Sequence, residues 1–163
     1  MSEQTRSYTW TPANLSPRDF AHLSGLEYLQ KVFSGDLPGA PIADTLAFFP
    51  AELEEGRVVF QGTPQGFVYN PIGSVHGGYA ATLLDSAMGC AVHTALGAGQ
   101  GYTTLELHLN YVRAMTDQTG PVRAEGKIIH VGRTVATAEG RVVGEDGKLY
   151  AHGTTTCAVF GGR

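Results

Sequence analysis

The stretch Val75–Gly89, VHGGYAATLLDSAMG, sets an aspartate, Asp85, among residues otherwise suited to a protein interior, and it opens on His76-Gly77-Gly78. An ionised carboxylate in such surroundings is costly unless it is paired or its proton affinity rises. Asp85 is therefore either a satisfied structural acid, bonded to Thr82, Ser86 or a backbone amide, or a general base or nucleophile. His76 is a residue that orients the turn or a catalytic histidine, although no serine or cysteine nucleophile is spaced around it in a triad pattern. Gly77 and Gly78 either let the helix start pack tightly or leave its first N–H groups bare. Bare amides, with the helix dipole behind them, can bind an oxygen that carries developing negative charge.

These residues need a helix to position them, and the sequence provides one. Ala80, Leu83, Leu84, Ala87, Met88, Ala91, Val92 and Ala95 follow the three-four spacing of a single face. The opposite side, Thr82, Asp85, Ser86, Gly89, Cys90, His93 and Thr94, is small and nearly uncharged, with no Lys, Arg or Glu from Val75 to Leu96. Such a helix is expected to be enclosed on most sides by a curving sheet. Gly77 and Asp85 then lie about 12 Å apart along the axis at 1.5 Å per residue, whereas attack on an amide-held carbonyl needs about 3–3.5 Å. If both act, the carboxylate comes from a second subunit, and a two-fold dimer with antiparallel helices makes two mixed sites.

The flanking chain supplies the sheet. Residues 1–15 read as a flexible arm, followed by one domain over 16–163. SPRDFAHLSGLEYLQKVFSG predicts a helix with Ser16 as N-cap, Pro17 in its first turn and Gly35 as its stop, with Phe20, Leu23, Leu26, Leu29 and Phe33 on its apolar side. GDLPGAPIAD predicts a loop. Strands are expected over about 46–53 and 57–63, with a further extended piece at 67–69. TTLELHLNYVR alternates Leu105, Leu107, Leu109 and Tyr111 against Thr104, Glu106, His108 and Asn110, the period of a half-buried strand. PVRAEGKIIHV, RTVATAEGRVVG and LYAHGTTTCAVF complete an antiparallel meander, the last two joined by a Glu145-Asp146-Gly147-Lys148 hairpin. The predicted class is α+β, a mostly antiparallel sheet of five or six strands around a long central helix with an extra helix before it.

Composition bounds the function. The 163 residues carry a net charge of −4 and only 16% charged side chains, which argues against a general nucleic-acid binder. Cys90 and Cys157 are the only cysteines, and no CxxC or His/Cys cluster suggests a metal site or disulfide scaffold. The polar MSEQTRSYTW start and the absence of a long apolar run lead us to expect a cytoplasmic protein that engages no membrane.

NPIGSVHGGYAATLLDSAMG, TTLELHLNYVRA and GKIIHVGRTVATAEGRV together resemble the hotdog-fold acyl-CoA thioesterases of the phenylacetic-acid-degradation (PaaI-like) type, over about residues 25–160. The resemblance implies hydrolysis of an acyl-CoA thioester between subunits of a homodimer, with dimers pairing into a homotetramer and no cofactor beyond the CoA of the substrate. It implies that Asp85 is general base or nucleophile, that the Gly77 N–H polarises the carbonyl, and that Asn70 places the thioester or the attacking water. It gives His76 the task of shaping the turn. Some relatives carry a hydroxyl residue one turn after the acid, where this chain has Gly89, leaving Ser86 or Thr82 as substitutes. Gly78, Ser86, Thr82 and Gly89 are expected around the substrate, Arg133 and Thr134 at its nucleotide part, and Arg113 and Arg123 more weakly there.

Three other readings compete. A hotdog hydratase or dehydratase lacks support because no HFPG-type loop occurs. A non-catalytic acyl-CoA-binding protein is disfavoured by the presence of Asn70, Gly77 and Asp85 together. A serine hydrolase would require the missing GxSxG.

Overall fold

A computed structural model describes residues 2–12 and 19–161. A capping box in LSGLE starts α1 (Gly25–Ser34), with the Ser24 hydroxyl accepting from the Glu27 N–H and the Glu27 carboxylate accepting from the Ser24 N–H at 2.8 Å. The expected continuous helix is corrected over residues 19–24, which are not helical. Ser16 and Pro17 lie outside the described residues, and Asp19 to His22 form a turn. At Gly25 a Cβ would collide with the His93 carbonyl oxygen, so glycine is what lets the start of α1 pack against the end of α3. Gly35 ends α1 in the left-handed region, as expected.

The expected loop at 35–44 contains a short helix, α2 (Pro41–Leu46), with Pro41 in its first turn. Then come β1 (Phe48–Glu54) and β2 (Arg57–Gly62). The expected extended piece at 67–69 is instead a single 3-10 turn, Gly66–Val68, in which Val68 N–H donates to the Gln65 carbonyl. Only Tyr69 beyond it is extended and bridges to Val75.

The long helix α3 (Gly77–Thr94) precedes β3 (Gln100–Tyr111), β4 (Val122–Val131), β5 (Val135–Gly144) and β6 (Leu149–Gly161). All six strands pair antiparallel in the order β1-β2-β4-β5-β6-β3, so β3 forms one edge although it follows α3 directly. This is the hotdog arrangement. Ala80, Leu83, Leu84, Ala87, Met88, Ala91 and Val92 are fully buried against the sheet, whereas Ala95 is exposed and Leu96 takes its place in the core.

Two irregularities set the site. First, Gly126, Gly140 and Gly153 pair side by side across β4, β5 and β6. A Cβ on Gly126 would meet the Ala87 backbone at 2.4 Å and one on Gly140 would meet Leu84 and Met88 at 2.9 Å, so α3 sits directly on this furrow. Second, the β3–β6 register shifts between Thr104 and Glu106, leaving Leu105 as a bulge that is 65% exposed. The expected burial of Leu105 therefore fails. Upstream of it Tyr102 and Thr104 face the helix, and downstream Leu107 and Leu109 do.

No helix among the described residues is long and apolar enough to cross a membrane. Among them Tyr79 carries the buried side-chain oxygen left without a hydrogen-bond partner. Its phenol is pushed up to about 12 by burial. Since an unsatisfied buried hydroxyl costs about 1–3 kcal/mol, Tyr79→Phe should raise unfolding stability by about 1 kcal/mol in a urea titration, and a loss of stability would contradict the assignment.

Candidate active site at the α3–β3 seam

The loop before α3 is organised by Asn70. Its side-chain oxygen accepts from Ile72 N–H at 3.0 Å and Ser74 N–H at 3.2 Å, while its amide donates to the Ser74 hydroxyl at 3.0 Å. Ser74 returns a backbone carbonyl to Asn70 N–H at 2.8 Å, and Gly73 takes the positive φ of 87° that the turn needs. This turn delivers His76 to the helix start, where His76 N–H donates to Val68 at 2.8 Å.

His76 is the N-cap of α3. Its Nδ1 accepts from the Gly78 N–H at 2.8 Å, which leaves Nε2 to carry the proton of the neutral ring. A Cβ on Gly78 would sit 2.9 Å from that Nδ1, so only glycine lets the imidazole fold back in this way. At Gly77 a Cβ would press on the Tyr111 ring at 3.1 Å. With the Gly78 amide taken by the cap, the Gly77 N–H has no acceptor among the described residues. It is a free donor at the positive end of an 18-residue helix.

Asp85 lies two turns on, half-buried, with Oδ1 accepting from the Thr104 hydroxyl at 2.9 Å. Hydrogen bonds to charged groups contribute about 1.5–3 kcal/mol, so this bond holds the carboxylate in place while its second oxygen has no hydrogen-bond partner among the described residues. Thr104 was expected on the outer face of its strand, and the Leu105 bulge is what turns it inward. Neither Thr82 nor Ser86 bonds Asp85, since the Thr82 hydroxyl donates back to the Gly78 carbonyl at 2.9 Å.

Further along the seam, Tyr102 fills the notch left by Gly89. A Cβ on Gly89 would lie 2.7 Å from the Tyr102 hydroxyl. Burial holds the Tyr102 phenol well above its usual range, reinforced by Cys90, Cys157 and Asp85 nearby. Cys90 keeps some exposed surface but its sulfur is enclosed, and its thiol is pushed up to about 12 by burial first and by the Asp85 charge second. It is a protonated thiol near neutral pH, which removes it as a nucleophile. Beyond Tyr102 a cavity of about 350 Å³ opens, lined chiefly by Phe20, Leu23, Tyr28, His93, Tyr102 and Phe160.

Arg133 and Thr134 are exposed in the β4–β5 turn, at the Tyr102 end of the sheet. The Thr134 carbonyl accepts from Val159, the residue paired with Tyr102. Arg133 makes no ion pair with a described residue, whereas Arg123 is bonded to Glu52. No group of His, Cys, Asp and Glu among the described residues is arranged to hold a metal.

The six-stranded sheet around α3, with a free amide at the helix start and a carboxylate two turns on, is a frame found among thioesterases. The profile of the Thioesterase superfamily matches residues 72–151. A Pseudomonas aeruginosa protein assigned to the esterases is 32% identical over 143 residues, covering 87% of this chain and 92% of that one. The 1,4-dihydroxy-2-naphthoyl-CoA hydrolase of Listeria monocytogenes is 25% identical over 118 residues, covering 72% and 94%. A Ralstonia eutropha structure described as a thioesterase-type, phenylacetic-acid-degradation-related protein is 28% identical with a TM-score of 0.73, covering 80% and 98%. The chain belongs to the thioesterase superfamily, with relatives of the phenylacetic-acid-degradation type.

His93 makes the stability of the fold depend on pH. Burial lowers its pKa below 6.5, so the unfolded chain binds the proton more readily than the folded one. Stability is unaffected well above pH 6.5 and is lost as pH falls from there through the folded-state value. Denaturant midpoints at pH 7 and pH 5 should show a larger acid loss in the wild type than in His93→Gln; equal losses would contradict it.

Proposed function

We propose that the protein is an acyl-CoA thioesterase hydrolysing an aryl- or medium-chain acyl-CoA to the free acid and CoA. The observation that carries this is the pairing on one helix of an uncommitted Gly77 N–H with a Thr104-held Asp85 carboxylate, in a chain whose relatives include an aryl-CoA hydrolase. The Gly77 N–H donates to the thioester oxygen as negative charge develops there. Asp85 takes a proton from water as its oxygen bonds the carbonyl carbon. The tetrahedral species collapses with cleavage of the C–S bond, and the departing CoA thiolate receives the proton that Asp85 took. In the nucleophilic variant the Asp85 oxygen itself attacks, CoA leaves, and water then hydrolyses the mixed anhydride. Asn70 and His76 hold the loop that presents the Gly77 amide, while Arg133 and Thr134 are placed to meet the nucleotide part of CoA.

Gly77 and Asp85 are still about eight rises of 1.5 Å apart, so each site takes one from each of two chains. Two features favour this assembly. The edge strand β3 offers 12 residues of unpaired backbone on one side, and beside it Thr82, Asp85, Ser86 and His93 form a half-buried stripe on α3. A second copy related by a two-fold axis would cover both, and such dimers would pair into tetramers.

Asp85→Asn should lower kcat on benzoyl-CoA by about 10³-fold, in the range of general-base loss, with an unchanged circular-dichroism spectrum. Gly77→Pro removes the amide at a helix position that tolerates proline and should be similarly inactive. Co-expressed Asp85→Asn and Gly77→Pro chains should regain activity in mixed dimers, because one of the two sites is then intact. Heterodimers that form and stay inactive would refute the shared site.

A further inference from the structure

Residues 2–12 carry no helix or strand, yet one of their side chains is held at four points. The Arg6 guanidinium donates from Nη1 to the Thr45 carbonyl at 2.6 Å and from Nη2 to the Asp44 carbonyl at 2.9 Å. It also lies over the Phe67 ring, 3.9 Å from its centroid, and over the Tyr8 ring at 4.6 Å. Both carbonyls belong to the last turn of α2, where acceptors lack intrahelical donors and the dipole favours a cation. Phe67 is the middle residue of the Gly66–Val68 turn. Arg6 therefore joins that turn to α2.

The same turn supports the start of α3. Val68, directly after Phe67, accepts from the His76 N–H at 2.8 Å, and Tyr69 bridges to Val75. His76 caps α3 and stands immediately before Gly77. The other side of this loop is tied to Met115, whose carbonyl accepts from the Val75 N–H at 2.9 Å, and to Asp117 through the Tyr69 hydroxyl.

We propose that Arg6 is a positioning residue for the Gly77 amide, acting through Phe67 and the Val68–His76 bond. The proposal rests on the thioesterase reading above. A guanidinium suits the task because its edge can meet two carbonyls while its face lies on a ring, which the compact ammonium of a lysine cannot do. The Met115 side keeps the loop attached without Arg6, so losing the clamp loosens the aim of the amide and leaves α3 folded. An amide that binds a developing oxyanion acts in the transition state, so poorer aim lowers kcat and leaves KM nearly unchanged.

The test compares wild type, Arg6→Ala, Phe67→Leu, Phe67→Tyr and the Arg6→Ala/Phe67→Leu double variant. Free-thiol release is measured on benzoyl-CoA or octanoyl-CoA, whichever wild type cleaves faster, and amide exchange over residues 68–78 is followed by mass spectrometry. Arg6→Ala should lower kcat at least fivefold with KM within twofold, and should speed exchange over residues 68–78. Phe67→Leu should do the same, and the double variant should be no slower than the slower single one. Phe67→Tyr keeps the ring face and should retain at least half of the wild-type kcat. An unchanged kcat in Arg6→Ala, losses that multiply in the double variant, a Phe67→Tyr as slow as Phe67→Leu, or unaltered exchange overturns the proposal. Wild type that cleaves neither substrate removes the thioesterase reading, and amide exchange then decides the clamp by itself. Faster exchange in Arg6→Ala supports it, and unaltered exchange overturns it.

Discussion

The seating of α3 on the glycine furrow is the contact on which the rest of the molecule depends. Helix and sheet ordinarily stand apart by the thickness of their side chains. Here Gly126 lets the helix backbone at Ala87 approach β4 with no Cβ between them, and Gly140 leaves room for the Leu84 and Met88 side chains on β5. The approach has two consequences. It buries the Leu83, Leu84, Met88 and Val92 side chains completely, which is where most of the apolar burial of a small domain comes from. It also fixes the height of α3 tightly, because a shift toward the sheet would push its backbone into β4 and its Leu84 and Met88 side chains into β5. Gly77 and Asp85, the groups proposed to act, both ride on that helix, so a contact made on one side of α3 determines the geometry on the other.

The second constraint is the Leu105 bulge. A strand of strict period two would have turned Leu105 to the core and Thr104 to solvent. One extra residue reverses this, so that Thr104 bonds Asp85 while Leu107 and Leu109 still face the core. An exposed leucine is a modest penalty on a surface where apolar area is already common. A fixed carboxylate beside an edge strand is the gain. The hydroxyls around the acid thus come from β3, from Thr104 and Tyr102, rather than from α3, where the corresponding position is Gly89.

What could be read from the sequence follows the range of the interactions involved. The course of α3, the β4–β5–β6 part of the meander and the Glu145–Lys148 hairpin were legible because each is encoded by a local period or a turn residue, such as Gly147 at a φ of 75°, whereas β3, expected to lead into β4, pairs with β6 instead. The His76 cap was signalled only as an odd start, since histidine is not among the usual capping residues and its reach depends on Gly78 having no side chain. Thr104 as the partner of Asp85 was invisible, because the bulge is a mismatch between two strands and neither strand alone contains it. The start of α1 was readable after all in Ser24-x-x-Glu27, but the Ser16-Pro17 pair competes with it by the same local rules.

On the proposed reading, stability and catalysis share one surface. An edge strand with its backbone unpaired and a helix stripe left half-buried are both unfavourable in an isolated chain, and a partner relieves both at once. That same partner brings its own Gly77 amide to the Asp85 carboxylate. A chain able to fold but not to associate would keep its glycine furrow, its His76 cap and its Thr104–Asp85 bond, and would still hold the two halves about 12 Å apart at 1.5 Å per residue. On that reading the spacing within VHGGYAATLLD does more than position residues on a helix: it makes association a condition of the chemistry.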